Sequence, residues 1–391
     1  MKYAVILCDG MSDLPCDELG GKTPMQVANK PNMDTLARQA EVGLVRTVPD
    51  TLPPGSDVAN LSVLGYDPMK YYTGRSPFEA VSMGIDLEPD DVAIRCNLVR
   101  LSDEKCFRDA KMLSYCADDI HTPEAADIIA RVNKELGSEV MRFYPGISYR
   151  HCLIWKNGNL DLGLTPPHDI AGEKIADYVK ANERTGKILE MMEKSYEILR
   201  GGQANCIWLW GEGKKAGLVP FKQEYGLNAS MISAVDLLKG IGIIAEMELL
   251  HVDGATGYID TNFAGKEEAA INSLKNGKDL AYIHIEAPDE CGHRGEFANK
   301  VKSIELIDEI VLRSILKAFK GERVKILIAP DHPTPLCLKT HTRDPVPFLI
   351  WDSGVSDKDS GVSVFDEYSA ASTGVYIEKG HELMRRFTNA D

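Results

Sequence analysis

The sequence predicts an α/β protein with a mostly parallel sheet flanked by helices, interrupted by an inserted α+β module. Three observations predict it. The near-continuous apolar runs YAVILCD, DLAYIHIEAPD, VKILIAPDH and VPFLIWD read as strands covered on both faces. An amphipathic stretch, VKSIELIDEIVLRSILKAF, separates two of them, as in the strand–helix alternation of a parallel sheet. Between roughly residues 71 and 219 the pattern changes to alternating runs and tight-turn dipeptides. The expected division is therefore a core of residues 1–70 and 220–391, with residues 71–219 inserted.

The elements follow in order. YAVILCD opens the chain as a strand, and PNMDTLARQA is helical, with Gly43 beyond its end. In TVPDTLPPGSDVANLSVLG, two prolines and a glycine force a loop, and Ser56 or Asp57 begins a helix. DVAIRCNLVRLSD alternates as a half-buried strand. Thr122 reads as an N-cap before Pro123, with Gly137 as the stop. EVMRFYPGISYRHCLIWKNGNL reads as strands joined at Pro-Gly and Asn-Gly turns. The buried strands then resume to the end of the core.

Composition narrows the function. The chain has 391 residues and a net charge of −15, with 44% hydrophobic and 26% charged residues. So acidic a chain has no broad electrostatic affinity for nucleic acid or anionic lipid. No window approaches the roughly 18 apolar residues of a membrane span, and MKYAVILCDG is a poor signal peptide. The nine cysteines form no Cys-x-x-Cys pair. They read as reduced, mostly buried thiols of a cytoplasmic protein, Cys8 and Cys152 within strands, and a cysteine zinc site is not expected.

The chemistry concentrates where strands end. Asp9, Asp289 and Asp331 each follow an apolar run, and in open parallel sheets ligands bind outside the carboxyl ends of the strands. Converging carboxylates repel and pay desolvation unless cations neutralise them. His332 follows Asp331 directly. Asp289 and His293 form an Asp-x-x-x-His pair that Pro288 and Gly292 are expected to hold in a tight loop. His341 precedes the last strand. Three carboxylates and three imidazoles suffice for two ions. Ligation by N and O without thiolate suits manganese or zinc better than calcium, with magnesium a further candidate. Ser56, at a helix start after Pro-Pro-Gly, reads locally as an ordinary cap or as a nucleophile; the metal constellation favours the nucleophile. His284 is expected to be a packed core histidine, and His381 to lie on a helix surface.

Taken together, CDGM, TPMQVANKPNMDTLA, PPGSDVANLSVLGYDP, YYTGR, PDECGHRG, PDHPTP and THTRDPVPF resemble the alkaline phosphatase superfamily. Within it they resemble the archaeal-type, cofactor-independent phosphoglycerate mutases. The resemblance implies an alkaline-phosphatase-like core with two metal ions, an inserted domain that closes over a small phosphorylated or hydroxy-acid substrate, and a phosphoserine intermediate. It implies that Ser56 is that serine and a ligand of the ion shared by Asp9, Asp331 and His332, and that Asp289, His293 and His341 hold the other. Lys239 matches a basic position facing the phosphoryl group. Arg75, Arg95, Arg150 and His151 are candidates for holding the anionic substrate, although Arg150 and His151, adjacent on a strand, point to opposite faces. One departure stands out. Archaeal mutases tend to carry an arginine where this chain reads Trp210-Gly211, and the WLWGEG form resembles a sister group proposed to be homoserine kinases.

Four functions are therefore weighed. The first is a mutase interconverting 3-phosphoglycerate and 2-phosphoglycerate through phospho-Ser56. The second is an ATP-dependent homoserine kinase on the same metal site, although no Walker motif or glycine-rich kinase loop is present. The third is a phosphatase, in which water discharges the phosphoserine. The fourth, a non-catalytic metal-binding protein, fits poorly with a full ligand set beside a serine.

Overall fold

The computed structural model describes residues 1–180, 182–355 and 359–389. The strands are β1 (Lys2–Cys8), β2 (Glu41–Val45), β3 (Val92–Leu101), β4 (Met112–Ser114), β5 (Met141–Tyr144), β6 (Arg150–Trp155), β7 (Cys206–Lys214), β8 (Ala229–Ile232), β9 (Glu248–Leu249), β10 (Leu280–Ile285), β11 (Val324–Ala329), β12 (Val346–Asp352) and β13 (Tyr376–Ile377). The chain divides into two compact units. One is Met1–Tyr72 with the chain from Gly217 onward, and the other is Thr73–Ala216. The sequence pattern put the crossings near residues 71 and 219.

The first unit is built on an eight-stranded sheet in the order β13-β2-β12-β11-β1-β10-β8-β9. From β11 to β9 every pairing is parallel, and β12 enters antiparallel between β11 and β2. Helices cover these central strands, so β10 and β11 are buried along their whole length, which is why they read as unbroken apolar runs. Register fixes what emerges at the sheet's carboxyl edge. Leu7 pairs with Ala329 and Cys8 with Ile285. The segments after β11, β1 and β10 therefore leave the sheet side by side.

Two loops are then drawn together by a buried ion pair. Lys300, on the Phe297–Leu306 helix, reaches Asp13 at 2.7 Å, with both side chains fully shielded from solvent. The same ammonium donates to the carbonyl of Thr334 at 2.7 Å, while the Asp13 carboxylate accepts the Leu336 N–H at 3.2 Å. The loop after β1 is thereby fastened to the loop after β11.

The second unit carries a five-stranded antiparallel sheet in which β3 is central, paired with β6 and β7 on its two sides and with β4 at its end; β5 lies beyond β6. Three local expectations are corrected. β3 is buried at all but one position rather than half-buried, because the Ser76–Ser82 helix covers its second face, where Arg95 meets Glu79. The helix at Thr122–Leu136 starts on Thr122 itself, with His121 as the preceding cap residue. The expected tight loop around Asp289 is a helix, Ala287–Arg294, in which Pro288 stands in the first turn where no intrahelical N–H bond is lost.

Replacing Lys300 by methionine is expected to strand the buried Asp13 carboxylate. Losing one partner of a buried ion pair costs about 3–5 kcal/mol, and chemical denaturation should show a loss of this order. A variant as stable as the parent would mean that the pair contributes nothing to holding the two loops.

Candidate metal centre and active site

The site is assembled at the carboxyl edge of the first unit's sheet. Asp9 stands one residue after β1, and Asp331 and His332 just after β11. The helix that follows β10 contributes Asp289 and His293, whose i,i+4 spacing puts them on one helix face. Ser56 is the first residue of the Ser56–Val63 helix, after Gly55. His341 comes from the loop before β12. Two clusters result, each with its ligand atoms within 4.8 Å of one another: Asp9, Asp331 and His332, and Asp289, His293 and His341. The imidazole rings of His332 and His341 stack at 3.8 Å, so the clusters adjoin.

In the second cluster, backbone carbonyls fix the histidine tautomers. His293 Nδ1 lies 3.0 Å from the Lys339 carbonyl, and His341 Nδ1 lies 2.7 Å from the Pro54 carbonyl. A carbonyl only accepts, so both Nδ1 atoms donate, and in the neutral rings both Nε2 atoms are bare. Those two Nε2 atoms face each other at 2.8 Å, and each is 3.3 Å from an Asp289 oxygen. Such convergence of lone pairs is repulsive unless a proton or a cation sits among them. Histidine ligands of metals characteristically give their other N–H to a carbonyl in this way.

The first cluster is short of positive charge as well. Asp9, Asp331 and His332 are almost fully buried. His332 Nε2 is 3.6 Å from Asp9 Oδ1, 3.4 Å from Asp331 Oδ2 and 3.0 Å from Ser56 Oγ. Asp9 Oδ1 is buried with no hydrogen-bond partner among the described residues. Burial, then Asp331, hold the Asp9 carboxyl well above the usual carboxylate range. Burial and Asp289 push the neighbouring Glu286 up to about 8. In the second cluster the balance is the reverse. Burial opposes ionisation of Asp289, but its hydrogen bonds to His293 and His341 win and hold it well below the usual range. Burial pulls His293 down, and Asp289 overrides it to raise the imidazole to about 9. Each cluster thus has a donor set that a divalent cation fits, by supplying the missing charge in the first and by displacing a proton in the second.

A family model described as 2,3-bisphosphoglycerate-independent phosphoglycerate mutase matches residues 37–205. A probable enzyme of that name from Geobacter sulfurreducens is 46% identical, with 98% of each chain covered. One from Methanosarcina barkeri is also 46% identical over 98% of each chain. The chain belongs to the 2,3-bisphosphoglycerate-independent phosphoglycerate mutase family. Its fold is that of a solved Pyrococcus horikoshii protein, at 29% identity and a TM-score of 0.81 over 100% of this chain and 98% of the other. The fold also matches a cofactor-independent phosphoglycerate mutase from Thermoplasma acidophilum, at 23% identity and a TM-score of 0.66 over 100% and 99%.

Several residues of this mutase-family site escaped the sequence reading. His284 is fully buried, but its Nε2 lies 2.8 Å from Asp9 Oδ2 and its Nδ1 3.1 Å from Ser233 Oγ, so it is more than a packing residue. Ser233 accepts the Val235 N–H at 3.0 Å, just before the Asp236–Ile244 helix that carries Lys239. Lys239 itself pairs with Asp236 at 3.1 Å. Asn60, one turn after Ser56, donates to Asp331 Oδ2 at 2.8 Å and to the Ser56 carbonyl at 2.9 Å, and accepts from Tyr282 at 2.8 Å. Gly10 has φ +61°, and a Cβ there would lie 2.6 Å from the Asp289 Cα, so the turn after Asp9 needs glycine. No local pattern gives His284 or Asn60 a role; only pairing register and helix phase bring them in.

The remaining candidates lie in the second unit. Arg75 and Arg95 both pair with Glu79, at 3.0 and 2.9 Å. Arg95 pairs in register with Cys152, and Asn97 with Arg150, so Arg95 and Arg150 share a face of the sheet while His151 shares the other with Cys96. Burial lowers His151 to about 3, which leaves it neutral. Trp210, where the resemblance expects a cation, is buried beside Arg95, whose guanidinium lies 4.9 Å from the indole ring; its Nε1 donates to Asn97 at 3.1 Å. In the first unit, His381 immediately precedes the last helix and lies 3.7 Å from Asp67.

A cation entering the Asp289–His293–His341 cluster has to displace the His293 proton, which is held to about pH 9. Manganese affinity there is expected to rise with pH below that value, by about tenfold per unit for one displaced proton. Calorimetric titrations between pH 6 and 8 check this. An affinity independent of pH would show that His293 is not a ligand.

Proposed function

We propose that this chain interconverts 3-phosphoglycerate and 2-phosphoglycerate by passing the phosphoryl group through Ser56. The observation that carries the reading is the pair of adjoining acceptor clusters with Ser56 Oγ on the edge of one. Asp9, Asp331, His332 and Ser56 would hold one divalent ion, and Asp289, His293 and His341 the other. Manganese or zinc suits these N and O donors best, with magnesium a further candidate. Bound ions would supply the positive charge that favours a serine alkoxide and neutralises phosphoryl oxygens.

The chain's own residues account for the rest. Ser56 opens its helix, where free N–H groups favour negative charge. Asn60 fixes that turn against Asp331. The Ser56 oxygen bonds to phosphorus as the bond from phosphorus to the glycerate oxygen breaks, and the glycerate oxygen gains a proton as Ser56 loses one. After glycerate reorients, its other hydroxyl takes the phosphoryl group back. Arg75, Arg95 and Arg150, around Glu79 on the inserted unit, are the proposed anchors for the substrate carboxylate, and Lys239 for its phosphoryl group. The insert, proposed to run over residues 71–219, would then serve as the substrate-holding domain. No helix among the described residues is long and apolar enough to cross a membrane. The nine free cysteines fit a reducing compartment, the cytoplasm.

Purified protein with Mn²⁺ is expected to interconvert the two phosphoglycerates without ATP. Ser56→Ala should bind manganese with most ligands intact, yet lose turnover by several powers of ten, roughly the cost of removing a nucleophile. Phosphoglycerate carrying labelled phosphate should label Ser56 in the parent enzyme. Labelling by ATP alone, with homoserine discharging the label, would replace the mutase by a kinase. Near-normal turnover of Ser56→Ala would remove the phosphoserine route.

A further inference from the structure

Thr334 stands between the two clusters and belongs to neither. It is fully buried. Its Oγ1 donates to Asp289 Oδ1 and lies 3.3 Å from His332 Nδ1. A threonine hydroxyl has one hydrogen and two lone pairs, and an ionised carboxylate can only accept. The hydrogen therefore goes to Asp289, and a lone pair is left for His332 Nδ1, which must carry its ring hydrogen. His332 Nε2 is then bare, toward Ser56, Asp9 and Asp331. One hydroxyl thus aims a carboxylate of one cluster and sets the tautomer of the histidine in the other.

The backbone at Thr334 is fixed on both sides. Its N–H donates to the Ser12 carbonyl at 3.2 Å, and its own carbonyl accepts from the buried Lys300 at 2.7 Å. Gly292 makes room for it, since a Cβ there would lie 2.5 Å from the Thr334 carbonyl oxygen. The hydroxyl is therefore held in place by groups that are not themselves candidate ligands.

We propose that Thr334 is a positioning residue shared by both metal clusters, so that removing its hydroxyl weakens both ions together. This rests on the two-ion reading given above. Outer partners of metal ligands typically contribute about 10–100-fold in affinity. Thr334 touches a ligand in each cluster, so the loss is expected at both.

The test compares the full-length parent, T334V and T334S. Valine keeps the shape and removes the hydroxyl, while serine keeps the hydroxyl and removes a methyl. Manganese binding is measured by calorimetry, and the thermal midpoint is measured in EDTA. T334V should lose about 10–100-fold at both sites, and T334S should bind like the parent. A threonine needed only for packing would lower the midpoint in EDTA and leave both affinities unchanged. Unchanged affinities in T334V, a loss at one site alone, or equal losses in T334V and T334S would each overturn the proposal. If T334V does not fold in EDTA, T334A takes its place against T334S. A parent that binds no manganese would instead overturn the two-ion reading, and this proposal with it.

Discussion

Everything at the sheet's edge depends on the crowding of acceptor groups at one place. Two imidazole nitrogens 2.8 Å apart, with Asp289 beside them and a proton held on His293, adjoin a second set in which Asp9 Oδ1 has no hydrogen-bond partner among the described residues. Taking such groups out of water is costly when each lacks a counter-charge. The rest of the fold supplies the stiffness to hold them there. Backbone carbonyls of Lys339 and Pro54 turn the histidines, Asn60 and His284 take up the outer oxygens of Asp331 and Asp9, and a shielded Lys300–Asp13 pair fastens the loops.

The same arrangement ties the proposed nucleophile to the more distant cluster. The Pro54 carbonyl that fixes His341 lies two residues before Ser56, and Arg343 donates to the Leu52 carbonyl at 2.9 and 3.0 Å. The loop that delivers the serine is thus secured by the segment that delivers His341 to the other cluster. From the opposite side, Asp9 is joined through His284 and Ser233 to the start of the helix bearing Lys239. Serine, both clusters and the proposed phosphoryl-binding lysine share one network of hydrogen bonds within a single unit.

The acidic surface follows from composition, and the local charge pattern runs with it. A chain of net charge −15 can hold an anionic substrate only where cations are gathered. The structure gathers Arg75 and Arg95 about Glu79, with Arg150 on the same face as Arg95. Trp210 brings an apolar ring against Arg95 rather than a further charge.

By itself the sequence determined the buried parallel strands, the inserted antiparallel module and the six acceptor residues. Those features are written in local hydrophobic runs and in Asp and His placed just beyond them. It could not separate a loop from a helix at Asp289, since Pro288 suits the first turn of a helix as well as a turn; helical spacing is what aligns Asp289 with His293. Nor could it reveal His284, which has the local signature of a core residue until β10 is laid beside β1 and its ring meets Asp9. Asn60 and Thr334 fall within motifs of the resemblance but, like Lys300, carry no local sign of their partners. Their roles come from contacts between segments more than 30 to nearly 300 positions apart, set by strand register and burial. Only tertiary structure decides such pairings, because no local pattern encodes which distant group a buried polar atom will meet.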